Sequence, residues 1–153
     1  MNHNKNRSHC PVNFALETFG DCWSLLIIRD IVFWGKKTFK EFAESREGIA
    51  TNILSSRLDH LIENAILSKK INPHDHRKAI YELTEKGLDL IPILLEMSGW
   101  SGRYDPETIA PNDFIRYVFD HRDTMYPLIR KTIRGGGSLF AGENSVISLH
   151  ERT

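Results

Sequence analysis

No apolar run in the sequence approaches the ~20 residues that a helix needs to cross a bilayer, which excludes a helical membrane span. The first ten residues, MNHNKNRSHC, are polar and lead into no apolar stretch. No secretory signal peptide is read there, and the cytoplasm is the expected location. Cysteine is scarce: Cys10 and Cys22 cannot build a disulfide framework and suit a reducing compartment. Catalytic signatures are missing too. There is no Gly-rich phosphate loop, GxSxG, HExxH or paired CxxC, and His74-x-His76 has no third ligand at a metal-site spacing. The expectation is a non-enzyme that uses neither metal nor cofactor. Net charge is also absent, with Lys+Arg 20 against Asp+Glu 20, which taken alone argues against a nucleic-acid partner.

The distribution of charge argues the other way. Residues 36–80 hold nine Lys/Arg against six Asp/Glu, whereas residues 81–153 hold eight against eleven. The basic excess falls where the pattern is richest in short elements. Residues 1–10 read as a flexible arm, and Val12 to Phe19 as a helix ending at Gly20-Asp21. Trp23 to Trp34 (WSLLIIRDIVFW) is almost wholly apolar and reads as a buried helix stopped by Gly35. Thr38 caps a short helix, TFKEFAES, with Glu41 completing a capping box. After the Arg46-Glu47-Gly48 turn, Leu54, Leu58, Leu61, Ile62 and Ala65 form the apolar stripe of a helix over about 50–64.

LSKKIN (67–72) and KAIYEL (78–83) alternate around the Pro-led turn PHDHR, as a β-hairpin does. Thr84 caps a further helix to about Gly99, kinked at Pro92. Residues 101–111 form a linker, and 112–134 are helical in two pieces parted at Pro127. The triple glycine 135–137 ends that helix and opens a flexible tail to residue 153. Two short helices joined by a tight Gly turn, followed by a two-stranded hairpin, make a winged helix-turn-helix. The expected fold class is mainly α with a small β-hairpin wing and additional terminal helices. The winged domain spans residues 11–100, and a helical extension over 101–134 serves dimerisation.

Helix 50–64 carries Asn52, Ser55, Ser56, Asp59, His60 and Glu63 opposite its apolar stripe. In a helix-turn-helix the second helix enters the major groove with its N-terminal residues against base edges. Thr51, Asn52, Ser55 and Ser56 sit there. Asn pairs bidentately with adenine, and Ser and Thr bond to bases or phosphate. Arg57, at the edge of the stripe, suits a phosphate contact or an internal ion pair. Thr38 on the preceding helix and His60 complete the helical set. His76, Arg77 and Lys78 beside the wing turn suit the phosphate backbone or minor groove. Cys10, just before the first helix, is placed for oxidation, because helix N-termini favour thiolate. Cys22, beside Trp23, reads as core, as do Phe14, Phe19, Trp23, Trp34 and Trp100.

CPVNFALETFGDCWSLLIIRDI, FKEFAESREGIATNILSSRLDHLIENAIL and RKAIYELTEKG resemble, in order and spacing, the HxlR-type winged helix-turn-helix transcriptional regulators. The resemblance covers about Cys10 to Trp100. It implies a homodimeric bacterial regulator of double-stranded DNA, joined through the N-terminal helix and the helices after the wing. Its groove helix falls on Thr51–Arg57, its wing on Asn72–Lys78, and its redox-sensing cysteine on Cys10. Asp59 departs from the pattern, standing where such proteins commonly carry a base. A small molecule or an oxidant is the expected effector. The alternative from another class is a winged-helix module for protein contact without DNA, which zero net charge and Asp59 favour. Phe114, Val118, Met125, Leu128, Ile129 and Ile133 are expected to form apolar surface that a partner copy covers.

Overall fold

A computed structural model describes residues 7–152. The expected arm over 1–10 falls outside these for residues 1–6, and residues 7–10 are irregular. Helix α1 (Pro11–Phe19) starts on a proline, which lacks only an amide that no helical carbonyl would accept. In α2 (Cys22–Trp34) the Asp21 carboxylate accepts from the Ser24 amide at 2.9 Å, and Gly35 ends the helix at φ 69°. Short α3 (Phe39–Ala43) has the anticipated capping box between Thr38 and Glu41. Gly48, also at φ 69°, turns the chain into α4 (Thr51–Glu63). Ile28, Val32, Phe42, Leu54, Leu58 and Leu61 interlock these helices in the core. The mainly α fold with a hairpin wing is therefore as the sequence implied.

The wing is longer than expected: β1 (Leu67–Asn72) pairs antiparallel with β2 (Asp75–Leu83). Ile71 faces Ala79 but Asn72 faces Asp75, so residues 76–78 fall in a register break. The hairpin's base is fastened to the helices. The Tyr81 amide donates to the Lys37 carbonyl at 2.8 Å, and the buried Tyr81 ring meets Phe42 edge-on at 6.1 Å.

Past the wing the structure corrects several expectations. The single kinked helix over 84–99 is two, α5 (Glu85–Leu88) and α6 (Ile91–Tyr104). Pro92 sits in the first turn of α6, where a missing amide costs nothing. The expected linker begins late, since α6 runs on to Tyr104. Residues 112–134 do form two helices, α7 (Asn112–Asp120) and α8 (Arg122–Arg134), but they part at His121. Pro127 lies inside α8 on its exposed side.

Phe114, Val118, Met125, Ile129 and Ile133 are buried against this same chain, leaving only Leu128 of that set exposed. They therefore need no partner copy. Arg130 reaches Asp89 at 2.6 Å and Glu85 at 2.7 Å, tying α8 to α5. Nor do residues 135–152 form a free tail. The Leu139 and Phe140 amides donate to the Val32 and Phe33 carbonyls at 2.8 and 3.0 Å, satisfying the end of α2. Leu139 and Val146 are buried, and α9 (Val146–Glu151) closes the segment.

Candidate nucleic-acid interface

The turn before α4 is held from below by a charged network. Asp30, 2% exposed, lies between Arg29 and Lys36. Arg29 Nη2 is 2.6 Å from Asp30 Oδ1, and its Nη1 is 2.5 Å from Glu47 Oε1. Lys36 Nζ donates to Ser45 Oγ at 2.6 Å, and Ser45 Oγ donates in turn to Asp30. A buried carboxylate is tolerable only when so paired. The Arg29 hydrogen bond holds the Glu47 carboxyl down at about 2. Of this network, Arg29 and Asp30 are the two charged residues within the otherwise apolar run of α2. The adjacent opposite charges of Arg29-Asp30 were the signal.

On that base α4 presents its first turns outward. Thr51, Asn52, Ser55 and Ser56 are all exposed, and no side chain caps the helix, so its first amides are open. Asn52 and Ser55 have no intramolecular side-chain partner among the described residues. Ser56 Oγ accepts from Arg57 Nη2 at 3.2 Å. The Arg57 guanidinium lies 3.6 Å from Asp21, which realises the internal-pair option. Burial works against ionisation of Asp21, but the Ser24 hydrogen bonds and the Arg57 charge outweigh it and lower its pKa.

His60 corrects its expected placement. It is half-buried, and its Nε2 lies 2.9 Å from the Thr18 carbonyl, joining α4 to the end of α1. The Thr38 hydroxyl is likewise engaged, bonded to Glu41 at 2.9 Å in the capping box. Asp59 is exposed, and with Arg57 and His60 turned to Asp21 and Thr18, neither neutralises it.

The wing offers a different surface. His76, Arg77 and Lys78 are exposed in the register break, with the Arg77 side chain 92% exposed. Asp75 sits between the bases, 3.2 Å from Arg77 Nε and 3.5 Å from Lys78 Nζ. The Arg77 hydrogen bond is the main cause that lowers the Asp75 pKa. Lys70 pairs with Glu82 at 2.5 Å, and Lys69 lies 5.8 Å over the Tyr81 ring.

This arrangement of capped α3, outward α4 and basic hairpin can be compared with known proteins. Residues 18–108 match the HxlR-like helix-turn-helix family. The chain belongs to that family. It is similar to the HTH-type transcriptional regulator YodB of Bacillus subtilis, with 35% identity over 96 residues, 62% of this chain and 85% of YodB. Among solved structures, PA1607 superposes with a TM-score of 0.61 at 36% identity, over 67% of this chain and 72% of that one. The redox regulator HypR in its oxidised form gives 0.56 at 33% identity, over 61% and 96%. As a family member this chain is a DNA-binding winged helix-turn-helix transcription regulator and not an enzyme.

Both cysteines of the HxlR-type chain are free and exposed. That overturns the core assignment of Cys22. Exposure also corrects the core reading of Phe14, Trp34 and Trp100. Phe19 and Trp23 do pack against the core. No helix among the described residues is long and apolar enough to cross a membrane.

Proposed function

We propose that the chain acts in the cytoplasm as a homodimer on a pseudo-palindromic operator, reading bases with Thr51, Asn52, Ser55 and Ser56 and gripping phosphate with His76, Arg77 and Lys78. The observation that carries this reading is the exposed polar turn of α4, in which Asn52 and Ser55 have no internal side-chain partner among the described residues, together with a basic wing. Small neutral donors and acceptors without internal bonds suit base edges, whereas wing cations suit any phosphate. Thr38 acts by setting the angle of α3, and Arg57 and His60 by fixing α4 to the rest of the fold.

The dimer uses a surface other than the extension first suggested. Val12, Phe14 and Leu16 of α1 and Ile93, Met97, Trp100 and Tyr104 of α6 are exposed apolar residues on two helices, and a second copy is the cover we assign to them. An oxidant input at Cys10 fits this placement, since the thiol is exposed immediately before α1. Selection of bound sites from random DNA tests the reading: a two-fold symmetric consensus supports it, and absence of any enriched sequence refutes it. Sedimentation at micromolar concentration tests the dimer, with Trp100→Ala expected to shift the wild-type dimer toward monomer.

A further inference from the structure

A cavity of about 750 Å³ lies between α2, α6, the 105–111 connection and the C-terminal segment. That volume is within the range of small-molecule sites. Leu25, Phe33, Ala110, Phe140 and Ile147 give it apolar walls, and among the described residues Arg29 is the one charged side chain lining it. The same arginine bridges to the DNA-binding unit. Its Nε and Nη2 donate to Asp30, and its Nη1 and Nη2 donate to Glu47 in the turn before α4. A guanidinium has five N–H donors, so one on Nη1 is left over. The two carboxylates differ in how freely they exchange. The Asp30 side chain is 3% exposed and the Glu47 side chain 37%, so the Glu47 bond is the one a competing anion can displace.

We propose that this cavity binds an apolar small molecule carrying one acidic group, with Arg29 as its counter-charge, and that the bound acid draws Arg29 from Glu47 and loosens the turn that aims α4. The apolar walls take the ligand body, and Arg29 selects the head. The proposal rests on α4 being the groove helix. Met97 and Ser101 belong both to the cavity and to the α6 surface, so a second copy of the chain is the competing occupant.

The full-length protein is titrated calorimetrically with 2-naphthoate and with neutral 2-naphthalenemethanol, and operator affinity is measured with and without saturating naphthoate. The expected result is one naphthoate per chain, with the neutral compound about tenfold weaker. Filling the cavity by Ser98→Phe or Ala110→Leu lowers naphthoate affinity by a similar factor and leaves the dimer intact. Saturating naphthoate weakens operator binding severalfold in the parent and not in Ser98→Phe. Equal affinity for the two compounds, no saturable uptake, or operator binding indifferent to naphthoate overturns the proposal. So does dimer loss in the filling variants with naphthoate binding unchanged, which assigns the cavity to a second copy. The naphthoate-free operator affinity tests the DNA reading separately: an intact baseline with no naphthoate response refutes only the cavity.

Discussion

The first turns of α4 and the tip of the wing face the same way chemically but are built by opposite means. The helix offers neutral Asn52 and Ser55 without internal partners, on a backbone braced by the Asp30 network. The wing offers charge on a register break, and that charge is partly answered by its own Asp75. Discrimination needs fixed donors and acceptors whose desolvation is repaid by only one base. Neutralising phosphate needs only mobile cations, which release counterions from any sequence. Zero net charge is therefore no bar to the proposed DNA contact, because Arg77 and Lys78 are held on the exposed wing while many other cations are paired within the fold.

The comparison breaks most severely if the brace is removed. Asp30→Ala leaves Arg29 and Lys36 without their buried carboxylate and should cost about 3–5 kcal/mol of stability. Urea denaturation measures it, and binding to operator and random DNA should fall together because the whole unit loosens. A smaller effect isolates the wing. Arg77→Ala should weaken all DNA sequences alike and reduce the salt-dependence slope by about one; a salt series on operator and random DNA checks this. Asp75→Asn should do the reverse, freeing Arg77 and Lys78 and tightening both complexes equally in the same titrations. Asp59, unneutralised on α4, should behave similarly as Asp59→Asn.

Acid distinguishes the two regions more gently. The Glu47 carboxyl is lowered from 4.5 to about 2 by the Arg29 bond. A depressed folded-state pKa gives stability that is complete above the unfolded value and is lost as pH falls through the folded one. Thermal unfolding between pH 5 and 2 should therefore show a loss that Glu47→Gln flattens. The Asp75 pKa is lowered too, but its partner Arg77 has a side chain 92% exposed and is screened by water, so Asp75→Asn should change that acid profile less than Glu47→Gln does.

Local chemistry made most of the winged domain legible in the sequence. The Thr38–Glu41 box, the glycine stops at 35 and 48 and the stripe from Leu54 to Leu61 each act within a few residues. What could not be read depended on distant partners. His60 takes its role from Thr18, and Arg29 takes its role from Glu47. Pro92 and Pro127 look alike in sequence, yet one opens a helix and the other lies within one, because a helix start is decided by packing as much as by the ring. The packing of the C-terminal segment is not legible in the sequence because the segment gains its hold from the Val32 and Phe33 carbonyls, more than 100 positions earlier in the chain. At the interface, residue type marked Asn52, Ser55, Arg77 and Lys78, but only the fold shows that Asp75 holds the wing cations.

The central claim is that α4 reads and the wing grips. Its most direct test is Asn52→Ala measured on operator and on random DNA at matched salt. Loss of an adenine-type contact should cost roughly 1–3 kcal/mol on the operator and almost nothing on random sequence. Equal losses on both would contradict the account, making the face a positioning surface that carries no sequence information.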